Sequence, residues 1–141
     1  MRFLNKVFIA LVILVFAIGF VASANVDDFK YPNTFQKMDD GEGYINDMGQ
    51  GMIVYEYDDA SKQMFLTNHD QYGCEYYESN YYAFADNENG MGGLIEVVEY
   101  KGDQYIVIST ILMENLDSDS GYIQQNLEEF NELNHVQAMN I

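Results

Sequence analysis

The most continuous apolar stretch of the chain lies at its N-terminus. Residues 7–24 carry no charge, follow Arg2 and Lys6, and end in Ala22-Ser23-Ala24. A basic start, an apolar core and small residues before a cleavage point are typical of a secretory signal peptide. The uncharged run is 18 residues long, which also allows an uncleaved membrane anchor over residues 7–24. We predict that residues 1–24 are a signal peptide or N-terminal membrane anchor and that the protein is secreted or extracytoplasmic.

Beyond residue 24 the apolar positions fall into short runs separated by turn residues, a pattern that indicates β-strands. The clearest pair is a hairpin turned by Lys101-Gly102-Asp103, whose second strand is apolar on both faces and therefore needs cover on both. An extended segment turned at Pro32 precedes the first strand. The predicted strands are residues 44–45, 52–57, 72–78, 81–85, 94–100 and 104–110.

The C-terminal region has a helical pattern instead. Apolar residues recur at spacings of four, three and three and define one face of a helix that ends near Asn134. Ser118, Asp119 and Ser120 are candidate N-caps for this helix. The members of the apolar face are Ile123, Leu127, Phe130 and Leu133.

A shorter helix is predicted over residues 60–66, with Asp58 or Asp59 as its N-cap and with Met64 and Phe65 turned inward. Residues 86–93 are predicted to form a polar, flexible loop. These elements place residues 25–141 in one α+β domain, an antiparallel β-sheet of roughly five to seven strands with the C-terminal amphipathic helix packed on one face.

The order of the motifs resembles a known fold family. The motif Phe29-x-Tyr31-Pro32-x-x-Phe35, the late hairpin motif Gly102-x-x-Tyr105 and the closing amphipathic helix are similar to the order in the PsbP/Mog1-like family, and the chain also resembles small exported proteins of anaerobic archaea. The resemblance implies a curved antiparallel sheet between helices and a role in assembly or binding rather than catalysis. It implies no functional residues, because the shared motifs are structural.

Charge narrows the range of partners. The chain has a net charge of −17, and all 23 acidic residues follow residue 24, where the basic residues are four lysines. Such a field repels phosphate groups, so we expect no nucleic-acid partner and membrane contact only through the N-terminal segment. The twelve tyrosines and the β-branched runs argue for a folded domain, because disordered chains lack both.

Two acidic segments have features of calcium loops. Asp117-x-Asp119-x-Gly121 is followed by Glu128, but Gly121 and Tyr122 stand where such a loop needs an acid and a glycine, so a helix start is the better interpretation. Residues 86–93 combine acids with glycines. Such a segment is able to hold a weakly bound calcium ion through carboxylates and backbone carbonyls, but a solvated loop is the better interpretation.

The remaining candidate groups give no catalytic or metal site. His69, Cys74 and His135 lack the short paired spacings of zinc ligands, and Cys74 is expected to be a buried structural thiol. There is no nucleophile elbow and no phosphate loop. We therefore assign no catalytic residue, metal ligand or cofactor, and keep a small carboxylate-dependent hydrolase as an alternative.

Clustered tyrosines are the candidate binding feature, since five of them fall within eleven residues. Exposed tyrosine suits protein or glycan recognition, because it offers a large contact area at low entropic cost. The alternative is that these side chains fill the core and edge of the sheet. The sequence thus favours an exported, non-catalytic domain that binds a protein or cell-envelope component, with the hydrolase and a calcium-stabilised extracellular module as alternatives. The candidate surface comprises Tyr72, Tyr76, Tyr77, Tyr81 and Tyr82.

Overall fold

A computed structural model describes residues 29–39, 43–65, 75–78, 80–86 and 88–139, with the backbone alone at 64, 65 and 75–78. The predicted export segment, His69, Tyr72 and Cys74 lie outside these residues. The strands are β1 (Gln36–Lys37), β2 (Tyr44–Ile45), β3 (Gly51–Glu56), β4 (Glu75–Glu78), β5 (Tyr81–Asp86), β6 (Met91–Tyr100) and β7 (Asp103–Leu112). The helices are α1 (Asp59–Phe65), a 3-10 turn (Met113–Asn115) and α2 (Leu116–Asn134).

All seven strands join one antiparallel sheet in the order β1-β2-β3-β7-β6-β5-β4. At its centre, β6 and β7 pair from Tyr100↔Asp103 to Met91↔Leu112. Lys101 and Gly102 form the turn with φ angles of 51° and 88°. Positive φ at both positions matches the strand twist and fixes a two-residue hairpin, so the predicted central hairpin is confirmed with longer strands than expected.

Helix α2 packs on one face of this sheet, which confirms the predicted α+β class. Leu127 and Phe130 are fully buried against β3, β6 and β7. The ring of Phe29 lies 5.5 Å from the ring of Phe130, so the segment that precedes β1 packs against the same core. The opposite face of the central strands is buried too, as Ile53 and Ile106 show. Within the described residues, no helix is long and apolar enough to cross a bilayer.

Two predictions about α2 are wrong, namely its N-cap and the burial of Leu133. The helix begins at Leu116 after Asn115, which makes no side-chain cap bond, so the predicted N-caps lie inside the helix. Leu133, predicted to be buried, is 37% exposed, and Asn134 is buried in its place. Asn134 accepts a hydrogen bond from the Lys30 N–H at 2.8 Å and donates to the Lys30 carbonyl at 2.7 Å. Two long-range backbone bonds therefore decide which side chain faces inward.

The predicted flexible loop over residues 86–93 is also wrong in extent. Asp86 ends β5, and residues 91–93 begin β6, so only a short turn connects the two strands. Gly93 is needed for packing, because a Cβ atom there would collide with the Ser109 carbonyl oxygen of β7. The glycines after the turn therefore allow close contact between strands. The sequence pattern had instead indicated a flexible loop.

Helix α1 begins at Asp59, one residue before the predicted start, and Asp58, one of the two predicted caps, is its cap. The Asp58 carboxylate accepts the Ser61 N–H at 2.8 Å, and the Ser61 hydroxyl accepts the Asp58 N–H at 2.8 Å. This reciprocal pair satisfies two amide groups that a helix start leaves unbonded. The predicted inward side chains at 64 and 65 lie outside the described part.

Candidate functional site

The tyrosine-rich strands β4 and β5 pair as an antiparallel ladder. Tyr81 and Tyr82 are neighbours on β5 and therefore point to opposite faces of the sheet. Tyr81 packs against the core beneath α2, and Tyr82 lies opposite Ile95 of β6; both are half-buried. Tyr76 is the register partner of Tyr82, but the side chains of Tyr76 and Tyr77 are outside the description. Tyr81 and Tyr82 therefore do not share one face of the sheet, and a binding role for the tyrosine-rich strands stays a prediction.

The acidic segments have structural roles in the described chain. Asp117 and Asp119 lie in the first turn of α2, where carboxylates favour the positive end of the helix dipole, and no calcium loop forms there. Asp86 accepts hydrogen bonds from the Asn89 amide nitrogen at 2.7 Å and from the Asn89 N–H at 3.3 Å. Its carboxylate thus holds the β5–β6 turn. Among the described residues, no three metal-ligating side chains converge.

A polar groove of about 440 Å³ lies between the β2–β3 turn, residues 33–36 and one side of α2. Six of its lining side chains are amides, so we call it the amide groove. Sequence analysis missed this site because its residues come from three separate segments. The amides are Asn33, Gln36, Asn46, Gln50, Gln125 and Asn126. The other lining residues are Thr34, Asp47, Met48, Tyr122 and Glu129.

A buried amide network forms the floor of the amide groove. The side-chain oxygen Oδ1 of Asn46 accepts the backbone N–H groups of Met48 and Gln50, each at 3.0 Å. Asn46 must therefore donate through its nitrogen, and it does so to the Gln50 side-chain oxygen at 2.9 Å. Asn126 of α2 donates to the same oxygen at 3.0 Å. A backbone N–H can only donate, so these two bonds fix the orientation of the Asn46 amide. The orientations of the Gln50 and Asn126 amides in the same network follow from it.

These orientations determine what the groove floor can offer a ligand. The Gln50 nitrogen carries two N–H donors, and within the described chain its bond is to the Met48 sulfur at 3.8 Å, a weak acceptor. Asn126 uses its nitrogen in the network, so its carbonyl oxygen remains as an acceptor. Gln50 is 1% exposed and Asn126 is 6% exposed. The floor therefore combines a donor and an acceptor on side chains that are already held in place.

The rim of the amide groove differs from its floor. Asp47 and Glu129 are exposed acids, and none of the described lining residues is basic. Tyr122 and Met48 are 38% and 44% exposed and add apolar surface. The groove thus combines neutral hydrogen-bonding groups and an aromatic ring in a negative field.

A second cavity, of about 260 Å³, lies between the start of α2 and the edge of β5 and β6. Its walls are mainly apolar, with Ala83, Leu94, Ile111 and Ile123 among them. Ligand sites usually pair apolar walls with a few convergent polar groups that fix orientation. The described residues that line this cavity form no buried hydrogen-bond network like the one beneath the amide groove, so it is the weaker candidate.

Glu96 is a buried acid that the sequence pattern did not single out. It lies on β6 beneath α2 with no exposed surface, and its Oε1 accepts a hydrogen bond from the Asn131 amide nitrogen at 2.8 Å. Its Oε2 has no hydrogen-bond partner among the residues that the structure describes. Burial raises the pKa of Glu96 to about 8, although the Asn131 bond opposes the rise. The carboxyl group is therefore mainly protonated at neutral pH. The available signal was an acid in the middle of an apolar run, between Ile95 and Val97.

Comparison with protein-family models finds no match for the chain, and no curated protein or solved structure shows a significant similarity to it. The resemblance to the PsbP/Mog1-like family stays a prediction. A functional proposal for this chain therefore depends on its own sequence and on the geometry of the amide groove.

Proposed function

We propose that this chain is an exported, non-catalytic domain that binds a protein or another component of the cell envelope. The observation that carries the proposal is the rigid amide network beneath the amide groove, with Gln50 and Asn126 as its buried members. The basic and apolar pattern of residues 1–24 supports the compartment. The negative charge of the domain disfavours nucleic acids and anionic lipid surfaces as partners.

The geometry of the groove favours binding for two reasons. Its volume of about 440 Å³ falls within the roughly 300–1,000 Å³ usual for ligand sites. Its floor is already ordered, because Asn46, Gln50 and Asn126 hold one another. Preorganised groups lose little conformational entropy on binding, so more of the contact energy contributes to affinity.

The hydrolase alternative receives less support from the described residues. A carboxylate enzyme needs two acids that face a cleft across a bond, with at least one in an environment that shifts its pKa. Glu96 has such an environment, but its carboxyl group is enclosed between β6 and α2 and does not line the amide groove. Asp47 and Glu129 line the groove from its exposed rim.

The test compares two candidate surfaces on one protein. The exported protein is immobilised and exposed to the solubilised envelope of its source cells. Groove variants are Tyr122→Ala and Gln125→Ala, both at exposed positions on α2. The tyrosine-strand variant is Tyr76→Ala combined with Tyr77→Ala. We expect the groove variants to lose a captured component that the wild type retains.

Each outcome has a definite consequence. Loss of capture only in the Tyr76/Tyr77 variant would move the binding surface to β4 and β5 while leaving a binding function in place. Identical capture by the wild type and all variants, or no specific capture at all, would contradict the proposal. Melting curves of every variant check that the loss reflects binding and not unfolding.

A further inference from the structure

We infer that the amide groove binds a neutral oligosaccharide. This inference rests on the proposed function and adds to it the chemical class of the ligand. It follows from three properties of the groove, namely its hydrogen-bonding groups, its charge and the ring of Tyr122.

Hydrogen-bonding capacity is the first property. A sugar hydroxyl both donates and accepts, and an amide side chain does the same through its nitrogen and its oxygen. On the groove floor, the Gln50 nitrogen and the Asn126 oxygen provide a donor and an acceptor on two residues joined by a 3.0 Å hydrogen bond. Two neighbouring hydroxyls of one sugar ring are suited to satisfy this pair together.

Burial makes it costly to leave the polar atoms of Gln50 and Asn126 without hydrogen-bond partners. Gln50 is 1% exposed, and its nitrogen donates to the sulfur of the 44% exposed Met48 at 3.8 Å, so a ligand hydroxyl reaches this nitrogen by displacing the Met48 side chain. A buried polar group without a good partner is costly, and a ligand that supplies one gains the difference. An apolar ligand would leave that group unsatisfied. The floor therefore selects for hydroxyl or amide groups.

Charge is the second property. Asp47 and Glu129 stand on the rim, none of the described lining residues is basic, and the whole chain carries −17. Phosphate, sulfate and uronic-acid groups would meet repulsion without a counter-charge. A neutral polyhydroxylated ligand avoids that repulsion and still uses the amides.

The third property is an aromatic ring among the lining residues. Tyr122 and Asn126 are four residues apart on α2, so their side chains are neighbours on one helix face. The Tyr122 side chain is 38% exposed beside the groove. An aromatic ring next to hydrogen-bonding amides can pack on the C–H face of a sugar while the amides bind its hydroxyls.

The experiment titrates the full exported protein with oligosaccharides of equal length in a calorimeter. The neutral probes are maltohexaose, cellohexaose and mannohexaose, and the acidic comparison is hexagalacturonate. We expect at least one neutral probe to bind with a micromolar to millimolar Kd and hexagalacturonate to bind about tenfold more weakly or not at all. Tyr122→Ala and Gln125→Ala should each weaken binding about tenfold.

Two controls separate ring packing from general damage. Tyr122→Phe keeps the ring and should retain most of the affinity. Tyr57→Ala removes a half-buried tyrosine that does not line the groove and should leave the affinity unchanged. Failure of all neutral probes to bind at millimolar concentration would overturn the inference, as would binding that neither groove variant weakens.

The outcomes also distinguish this inference from the proposed function. If the captured envelope component is a protein whose binding survives removal of its glycans, the inference falls and the proposed function stands. If a neutral probe binds in the groove but the envelope yields no specific component, the inference stands and the proposed function falls.

Discussion

At the scale of single residues, Glu96 places a carboxyl group in an apolar interface. The pKa of its carboxyl group in the folded chain is about 8, above the ordinary value of 4.5. Between these values the unfolded chain releases a proton that the folded chain keeps, so stability falls as pH rises. The stabilising contribution of the protonated form is complete below pH 4.5 and is lost by about pH 8. The slope reaches about 1.4 kcal/mol per pH unit.

The variant Glu96→Gln removes this titration and keeps the shape of the side chain. We expect its free energy of unfolding, relative to wild type, to rise between pH 4 and pH 9 by as much as about 5 kcal/mol. Urea titrations across this range measure the difference. Glu99→Gln controls for the loss of one negative charge from an exposed site on the same strand. Parallel curves for wild type and Glu96→Gln would show that the buried carboxyl group does not titrate as stated.

Two glycines give a matched test of packing. Gly93→Ala places a methyl group against the backbone of β7, and we expect a loss of about 3 kcal/mol or more. Gly121→Ala lies on α2 with no atom within 4 Å of the new methyl group, and we expect a gain of roughly 0.5–1 kcal/mol from helix propensity. Thermal and urea unfolding measure both. A tolerated Gly93→Ala would contradict the close approach of β6 and β7.

At the scale of elements, the end of α2 separates what the sequence predicts from what the structure shows. Periodicity predicts a buried Leu133, whereas the structure exposes it and buries Asn134. Asn134→Ala leaves the Lys30 N–H and carbonyl without their partners, so we expect a loss of about 2–3 kcal/mol. Leu133→Ala should cost less than about 1 kcal/mol. The reverse order in urea unfolding would favour the apolar pattern over the observed packing.

The elements themselves were largely predictable, because local signals determine them. The central hairpin, the strands predicted near residues 44–45 and 52–57, the Asp58 cap and the helix end near Asn134 are all present in the structure. The errors occur where long-range contacts decide the outcome. In the sequence, Gly93 has the pattern of a glycine in a loop. In the structure it lies in β6, where the close approach of the Ser109 backbone leaves no room for a side chain. The amide groove was not predictable, since Asn46 and Asn126 are 80 positions apart and meet only in the folded chain.

At the scale of the whole molecule, the calcium-stabilised module makes a prediction different from ours. The Asp86 carboxylate accepts a hydrogen bond from Asn89, and Asp117 and Asp119 lie in the first turn of α2. We expect the Tm to stay within about 1 °C when millimolar calcium is added or when a chelator removes it. Scanning calorimetry with magnesium as the control ion measures this. A rise of several degrees specific to calcium would favour the calcium-stabilised module.

The central claim is that the amide groove contacts a cell-envelope component in the living cell. Site-specific photo-crosslinking tests it most directly, with a photoreactive residue at position 125 in the groove or at position 104, an exposed site near the β6–β7 turn. After irradiation of intact cells, we expect a discrete adduct in the envelope fraction from position 125 and none from position 104. No adduct from position 125, or the same adduct from both positions, would contradict a binding role for the groove.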